Sequence, residues 1–429
     1  MLIGLLYFKA SKHLSFRFAA GAKADDNSGT PENNAVTRFM QTPRSRNHLG
    51  IKHLPLLWAC LLWIAGCTGG CSTASSRFFV GIYGGGATTN LPVLRAAGID
   101  LVTGPATKEY LDAAQQAGLR VLASPGMQAG PDFSPKRAQK VVAEWDRHPA
   151  LWAWYLSDEP DLNQISARQV ELSHRTVKSA GAHRPTALVV QHGPALATYH
   201  VADILIVDKY PVGWLPLAAY FQHLRHGRVA AKVGHKRLVG VIQAMDWSYY
   251  QDQLGPTEGA QLRPPSEEEL RCMAYGSRLL GAEGVFFYCF EDGRWNIREH
   301  PPTWKALQSV TAEVQRRHAL FNGKTEFCNL PLRFPDYQRQ YNEALEASVM
   351  AQMIEVNEGD GEIPPGKYLV WVNTTGENQT FTLMRPDWKM DTFPHLGSAG
   401  SWQKTSSGWS IQLEPYAVRV DGPLVDQIR

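Results

Sequence analysis

A chain of 429 residues is longer than one small domain requires and suits a large barrel joined to a smaller module. Its 43 Lys and Arg against 40 Asp and Glu leave a formal net charge of +3, and no basic stripe interleaves with aromatics, which argues against nucleic acid as a partner. Trp and Tyr are plentiful, 13 and 15, and flat rings stack on sugar faces, although most such rings serve cores.

The chain begins with what reads as an address. From Met40 it runs MQTPRSRNHLGIKHLPLLWACLLWIAGC, placing Arg44, Arg46 and Lys52 ahead of an apolar run from Leu54 to Ala65. A basic region followed by an apolar stretch too short for a permanent span is a signal-peptide pattern. Its end, Ile64-Ala65-Gly66-Cys67, resembles the lipobox of bacterial lipoproteins, which implies Cys67 as the lipidated first residue of the mature chain. Residues 1–39 then precede a complete signal and read as a start codon placed too early, residues 40–66 as the signal and residues 67–76 as a small-residue tether. Thr68 after the Cys, by the same resemblance, favours the outer membrane of a Gram-negative cell envelope.

From Phe78 onward apolar strand-like runs alternate with amphipathic stretches. The expected strands are Phe78 to Tyr83, Ile99 to Thr103, Leu119 to Ser124, Leu151 to Leu156, Thr186 to Gln191, Asp203 to Val207, Leu238 to Met245 and Gly284 to Phe290. Helices are expected at Leu91 to Ala97, Lys108 to Ala117, Ser134 to Arg147, Ala167 to Ala180, Ser266 to Leu280 and Pro301 to Arg316, with Ser134-Pro135 and the capped SEEE run as start signals. Alternation without a Gly-x-Gly-x-x-Gly turn predicts an α/β fold of the (β/α)8 TIM-barrel kind over residues 77–319, not a dinucleotide-binding open sheet. Beyond residue 320 the runs Tyr368 to Asn373, Gln379 to Leu383, Trp409 to Leu413 and Tyr416 to Val420 predict a C-terminal antiparallel β-sandwich over residues 320–429. Most of its rings read as structural, with a sugar platform at Trp388 or Trp402 the minority reading.

Strands four, six, seven and eight all end in acids: Asp158-Glu159, Asp208, Asp246 and Glu291-Asp292. Acids gathered at one rim repel one another and are tolerated mostly where a site uses them. Tyr210, Gln243, Trp247 and His192 lie beside these ends and are candidate substrate-binding residues, each with a packing alternative. Cys272, Cys289 and Cys328 show no CxxC spacing and read as free thiols; no metal or other cofactor is expected.

The strand ends WYLSDEP, IVDKYP and GVFFYCFED, with the terminal LEPYAVRV, resemble the barrel-plus-sandwich glycoside hydrolases over nearly all of residues 77–421. The resemblance implies a carbohydrate substrate and Glu159 as the general acid. Those enzymes commonly carry Asn-Glu on strand four and a nucleophilic Glu ending strand seven, where this chain has Asp158-Glu159 and Gln243. Three mechanisms stay open. Asp158 and Glu159 act together, as in hexosaminidases whose Asp-Glu pair orients the substrate's own N-acetyl group as nucleophile. Alternatively Glu159 works with Asp208, Asp246 or Glu291 across the mouth, at roughly 5 Å for retention or 6.5–9.5 Å for inversion. In the third, the barrel is a non-catalytic carbohydrate-binding surface lipoprotein.

Overall fold

The computed structural model describes residues 77–254, 259–326, 328, 330–335, 348–397 and 400–424. The expected N-terminal extension, signal, lipidation site Cys67 and tether lie outside them. Eight parallel strands close into a barrel in sequence order: β1 (Phe79–Ile82), β2 (Leu101–Gly104), β3 (Arg120–Ala123), β4 (Leu151–Ser157), β5 (Thr186–Val190), β6 (Ile204–Asp208), β7 (Arg237–Gln243) and β8 (Gly284–Tyr288). Closure runs through β1, which pairs Gly81 with Leu101 on one side and Phe79 with Gly284 on the other. A side chain on Gly284 would meet the Phe79 ring at 2.5 Å, so the missing Cβ is what admits that ring. Every residue of β4 is buried, as a strand covered on both faces requires.

The helices between the strands are α1 (Leu91–Ala96), α2 (Lys108–Gln116), α3 (Pro135–Trp145), α4 (Ala167–Ser179), α5 (Ala218–Gly234), α6 (Gln251–Leu254), α7 (Glu267–Leu279), α8 (Pro301–Arg316) and α9 (His318–Asn322). The expected start signals operate: the Ser134 side chain accepts from Arg137 N ahead of Pro135, and Ser266 and Glu269 form a capping box. The alternation is not complete. A short 3-10 turn, Gly193–Ala197, stands where β5 would be followed by a helix, and it packs against α5, with room beside the His223 carbonyl for a glycine alone. The sequence pattern also passes over α5 itself, whose N-cap Leu217 offers no capping side chain.

The C-terminal region forms two antiparallel sheets from β9 (Lys324–Glu326), β10 (Leu332–Arg333), β11 (Val349–Val356), β12 (Gly366–Asn373), β13 (Gln379–Leu383), β14 (His395–Gly397), β15 (Gln403–Thr405), β16 (Gly408–Leu413) and β17 (Val418–Leu424). One sheet has the order β10-β13-β16-β15 and the other β14-β17-β12-β11-β9. Residues of both meet in one apolar core, which includes Met353, Trp371, Phe381 and Trp409. Trp388 and Trp402 are buried in that core, and Trp402 Nε1 donates to Asp421, so neither is available as a sugar platform. The 5-stranded sheet lies against α7, where Cys272 Sγ reaches the Asn373 carbonyl at 3.4 Å. Cys272 and Cys289 are buried free thiols and Cys328 is a partly buried one.

Candidate active site at the C-terminal rim of the barrel

The chain turns sharply as it leaves β4. Glu159 has φ +42°, in the left-handed region, although it precedes a proline that favours extended backbone. Neighbouring chain holds it there: Glu159 N donates to the Val189 carbonyl at 3.1 Å, and Asn163 N donates to the Glu159 carbonyl at 2.9 Å. Such a non-glycine outlier costs about 1–3 kcal/mol and persists only where its surroundings over-determine it. From this turn the Glu159 side chain reaches the end of β6.

There it meets Asp208. The two carboxyl groups are within hydrogen-bonding reach of each other. Two ionised carboxylates cannot hydrogen-bond, so the pair requires a proton. Asp208 is 3% exposed; its Oδ2 accepts from Tyr210 at 3.1 Å, and its Oδ1 receives no donated bond unless the pair is protonated. Burial, then the neighbouring charge of Glu159, hold Asp208 well above the usual carboxylate range. Burial and the charge of Asp158 push Glu159 up to about 7, against the opposing effects of the Asp208 hydrogen bond and the Lys209 ammonium. The pair titrates as a unit and keeps a proton near neutrality.

Asp158 is exposed as a residue, while protein crowds its carboxyl. That crowding raises its pKa, and the hydrogen bond from the Tyr155 hydroxyl opposes the rise. The Tyr155 bond is the only side-chain hydrogen bond its carboxyl accepts among the described residues. Tyr155 in turn lies 3.4 Å from the Tyr83 hydroxyl. On the other side Tyr210 stacks on Tyr288, ring centroids 5.2 Å apart at 26°. Tyr288 donates to Asp292 Oδ2 at 2.9 Å beside Tyr250 at 2.7 Å, and the Arg294 and Trp295 amides donate to Asp292 Oδ1 at 3.0 Å. Four tyrosines from β1, β4, β6 and β8 therefore line the mouth. Sequence reasoning singled out Tyr210 alone; a tyrosine within two residues of the end of each of four strands was the signal available for the others.

The remaining candidates divide plainly. Gln243 is fully buried, its Oε1 accepting from Val212 N at 2.8 Å and its Nε2 donating to the Val212 and Met245 carbonyls, so it ties the β6 loop to β7 and leaves no donor for a substrate. Asp246 caps the turn at Trp247–Tyr250 through Ser248 N, 2.7 Å away. Glu291 turns toward the β1 loop, where Asn90 Nδ2 at 3.3 Å and Arg298 at 3.4 Å hold it. Neither Asp246 nor Glu291 is among the charges that act most on Glu159. Trp247 donates to the Tyr210 carbonyl at 2.8 Å and steadies that tyrosine from behind. His192 is exposed at the rim, its amide bound to Asp161 Oδ2 at 2.8 Å and its ring edge against His223. Lys209, buried beneath Trp214 with its ammonium 5.4 Å from the ring centroid, is a site neighbour that the sequence did not single out. Among the described residues no group of three His, Cys, Asp or Glu side chains could hold a metal ion.

No protein-family model and no curated protein matches the chain. Solved structures do resemble it. A glycoside hydrolase of family 5 from Bacteroides vulgatus aligns at 11% identity over 82% of this chain and 90% of its own, with a TM-score of 0.53. A second structure, described as a glycoside hydrolase, aligns at 9% identity over 83% of this chain and 97% of its own, also at 0.53. At these identities the likeness is one of fold, that of a closed parallel eight-stranded barrel.

Proposed function

We propose that the protein is a glycoside hydrolase that cleaves N-acetylhexosaminides by substrate assistance, with Glu159 as general acid, Asp208 as the partner that keeps a proton on the pair, and Asp158 orienting the acetamido group. The observation that carries this reading is the Glu159–Asp208 contact, a largely buried acid pair that has no ion-paired cation among the described residues, at the rim where barrels place their chemistry. The likeness of fold to glycoside hydrolases supports it.

Asp208 is engaged with Glu159 itself and is read as the partner that shares its proton, not as the opposing nucleophile or base. Asp246 and Glu291 are engaged elsewhere. Asp158 remains, next to Glu159 and bonded by one tyrosine. In the proposed reaction Glu159 gives its proton to the glycosidic oxygen as the bond from that oxygen to C1 breaks. The acetamido carbonyl oxygen of the substrate bonds to C1, while Asp158 accepts a hydrogen bond from the acetamido N–H as it becomes positive. Water then adds to C1, its proton passing to Glu159, and the acetamido group is released. Tyr210 and Tyr288 supply the stacked wall against which the sugar rests. The two C-terminal sheets are proposed to form a β-sandwich packed on the barrel, and the whole to be carried on a lipid anchor at Cys67 in the cell envelope, in the outer membrane of a Gram-negative bacterium.

The test is hydrolysis of aryl glycosides, N-acetylated and not, by the chain from Ser72 onward and by its Glu159→Gln variant. Turnover confined to N-acetylated substrates and lost in the variant is the expected result. Glycan binding without turnover of any substrate would replace this reading with that of a carbohydrate-binding protein.

A further inference from the structure

From Lys209 to Met245 the chain contains no Asp or Glu, but it carries Lys209, Arg225, Arg228, Lys232, Lys236 and Arg237. Lys209 belongs to the site, and Arg237 is paired with Glu283. The other four belong to α5 and the turn that follows it.

That helix is two-sided. Tyr220, Phe221, Leu224, Gly227 and Ala231 face the barrel and are buried. On the outer side, one turn apart, stand Val229 and Val233, 63% and 78% exposed, the two most exposed large apolar residues among those described. Arg225, Arg228 and Lys232 run along the flank of this apolar pair at helical spacing. Arg225 is half-buried, and burial first and the neighbouring Arg228 second lower its pKa, with no carboxylate acting on it; Arg228 and Lys232 are exposed. Neighbouring α4 differs, since its Arg175 and Lys178 are neutralised by Glu171 and Asp203. Unneutralised cations beside exposed aliphatic side chains fit a surface that is anionic outside and apolar within.

We propose that this outer face of α5 docks on an anionic phospholipid bilayer. The topology of the chain is consistent with it. α5 ends at Gly234 and leads to Arg237 at the start of β7, the barrel rim where β1 also begins and where the chain arrives from its N-terminal side. Nine residues lie between Cys67 and Arg77, a reach of at most about 35 Å. A lipid on Cys67 therefore keeps this rim within reach of the membrane, and the acid pair sits at the opposite rim, away from it. A nucleic acid is the poorer fit, because the exposed large apolar side chains on this face are the aliphatic Val229 and Val233 and no Tyr, Trp or Phe of α5 is exposed for a base to stack on.

The test needs no lipid anchor and no enzymatic activity, so it is independent of the proposed hydrolase function. Residues 72–429 form one compact unit that contains both cores and can be used alone. This fragment is sedimented with vesicles of phosphatidylcholine, with and without phosphatidylglycerol, at low and high salt. Binding is expected on the phosphatidylglycerol vesicles alone and is expected to fade with salt. R228Q and K232Q should each weaken it roughly fivefold. V229S/V233S should weaken it while leaving the salt dependence in place, and unchanged melting would show that all these exposed variants fold. No sedimentation, equal sedimentation with neutral vesicles, or variants that bind like the parent protein would overturn the proposal. So would retention on a soluble polyanion that is indifferent to the valine changes, which would assign the face to another partner.

Discussion

Two groups of buried carboxylates in this molecule behave in opposite ways. At the junction of the barrel with the C-terminal sheets, Glu313 accepts from Arg271 at 2.8 Å, from Arg317 at 2.6 Å and from Tyr275 at 2.8 Å. Burial alone would raise its pKa, but the two guanidiniums and the tyrosine outweigh burial and hold it below the usual range. At the rim, Asp208 is buried and Glu159 mostly so, and the principal neighbour of each is another acid. Burial is common to both groups; the neighbour decides whether a carboxylate serves as a permanent charge or as a proton store.

Separate perturbations distinguish the two groups, and the largest expected effect is chemical. Glu159→Gln should lower turnover by about 10²–10⁴-fold without lowering the melting temperature, because it removes a repulsive charge and leaves the fold's contacts in place; steady-state kinetics beside a thermal melt checks both halves. Arg317→Met should do the reverse. It leaves Glu313 with a buried charge only partly compensated, so a denaturant titration should show a loss of about 3–5 kcal/mol while activity per folded molecule holds.

A third effect concerns pH. Glu159 has a folded pKa near 7 against an ordinary value of 4.5, so between those values the folded state retains a proton that the unfolded state has lost. Stability should therefore fall as pH rises through that window, by about 2 kcal/mol after allowance for partial contact with water, and Glu159→Gln should flatten the slope. Glu313, depressed in the fold, has the opposite sign: its stabilisation is present above its unfolded pKa and is lost as the pH drops below that value. Smallest is the effect of Asp208→Asn, which offers Glu159 a permanent amide donor. The alkaline limb of the pH–rate profile should stay in place, as the amide replaces the bond that a protonated Asp208 already donates, and a limb moved to lower pH by about one unit would show that Asp208 is ionised and does not hold the proton.

Much of the barrel is legible in the sequence because a parallel strand covered on both faces must be apolar throughout, as the Leu151–Ser157 strand is. All eight strands fall where runs of this kind stand. Harder to see are α5, which lacks a capping signal, and β11, whose sequence VMAQMIEV interrupts its apolar residues with Gln and Glu. At the site, the acids at four strand ends are visible as a group, but their division is not. The strand-end position of Asp246, Glu291 and Asp208 is alike; what separates them is whether a nearby backbone amide, an arginine or Glu159 faces the side chain, and loops far apart in sequence settle that. For Gln243 the packing alternative is the one the structure shows, and its partner Val212, 31 residues away, could not be read from the sequence.

The most direct test of the central claim is an infrared titration of the protein against its Glu159→Gln variant, following the carbonyl stretch of a protonated carboxyl group. A band that persists at about pH 6 and disappears as the pH rises through about 7 is the expected result. A band already lost by about pH 5, where an ordinary glutamic acid has given up its proton, would contradict the account.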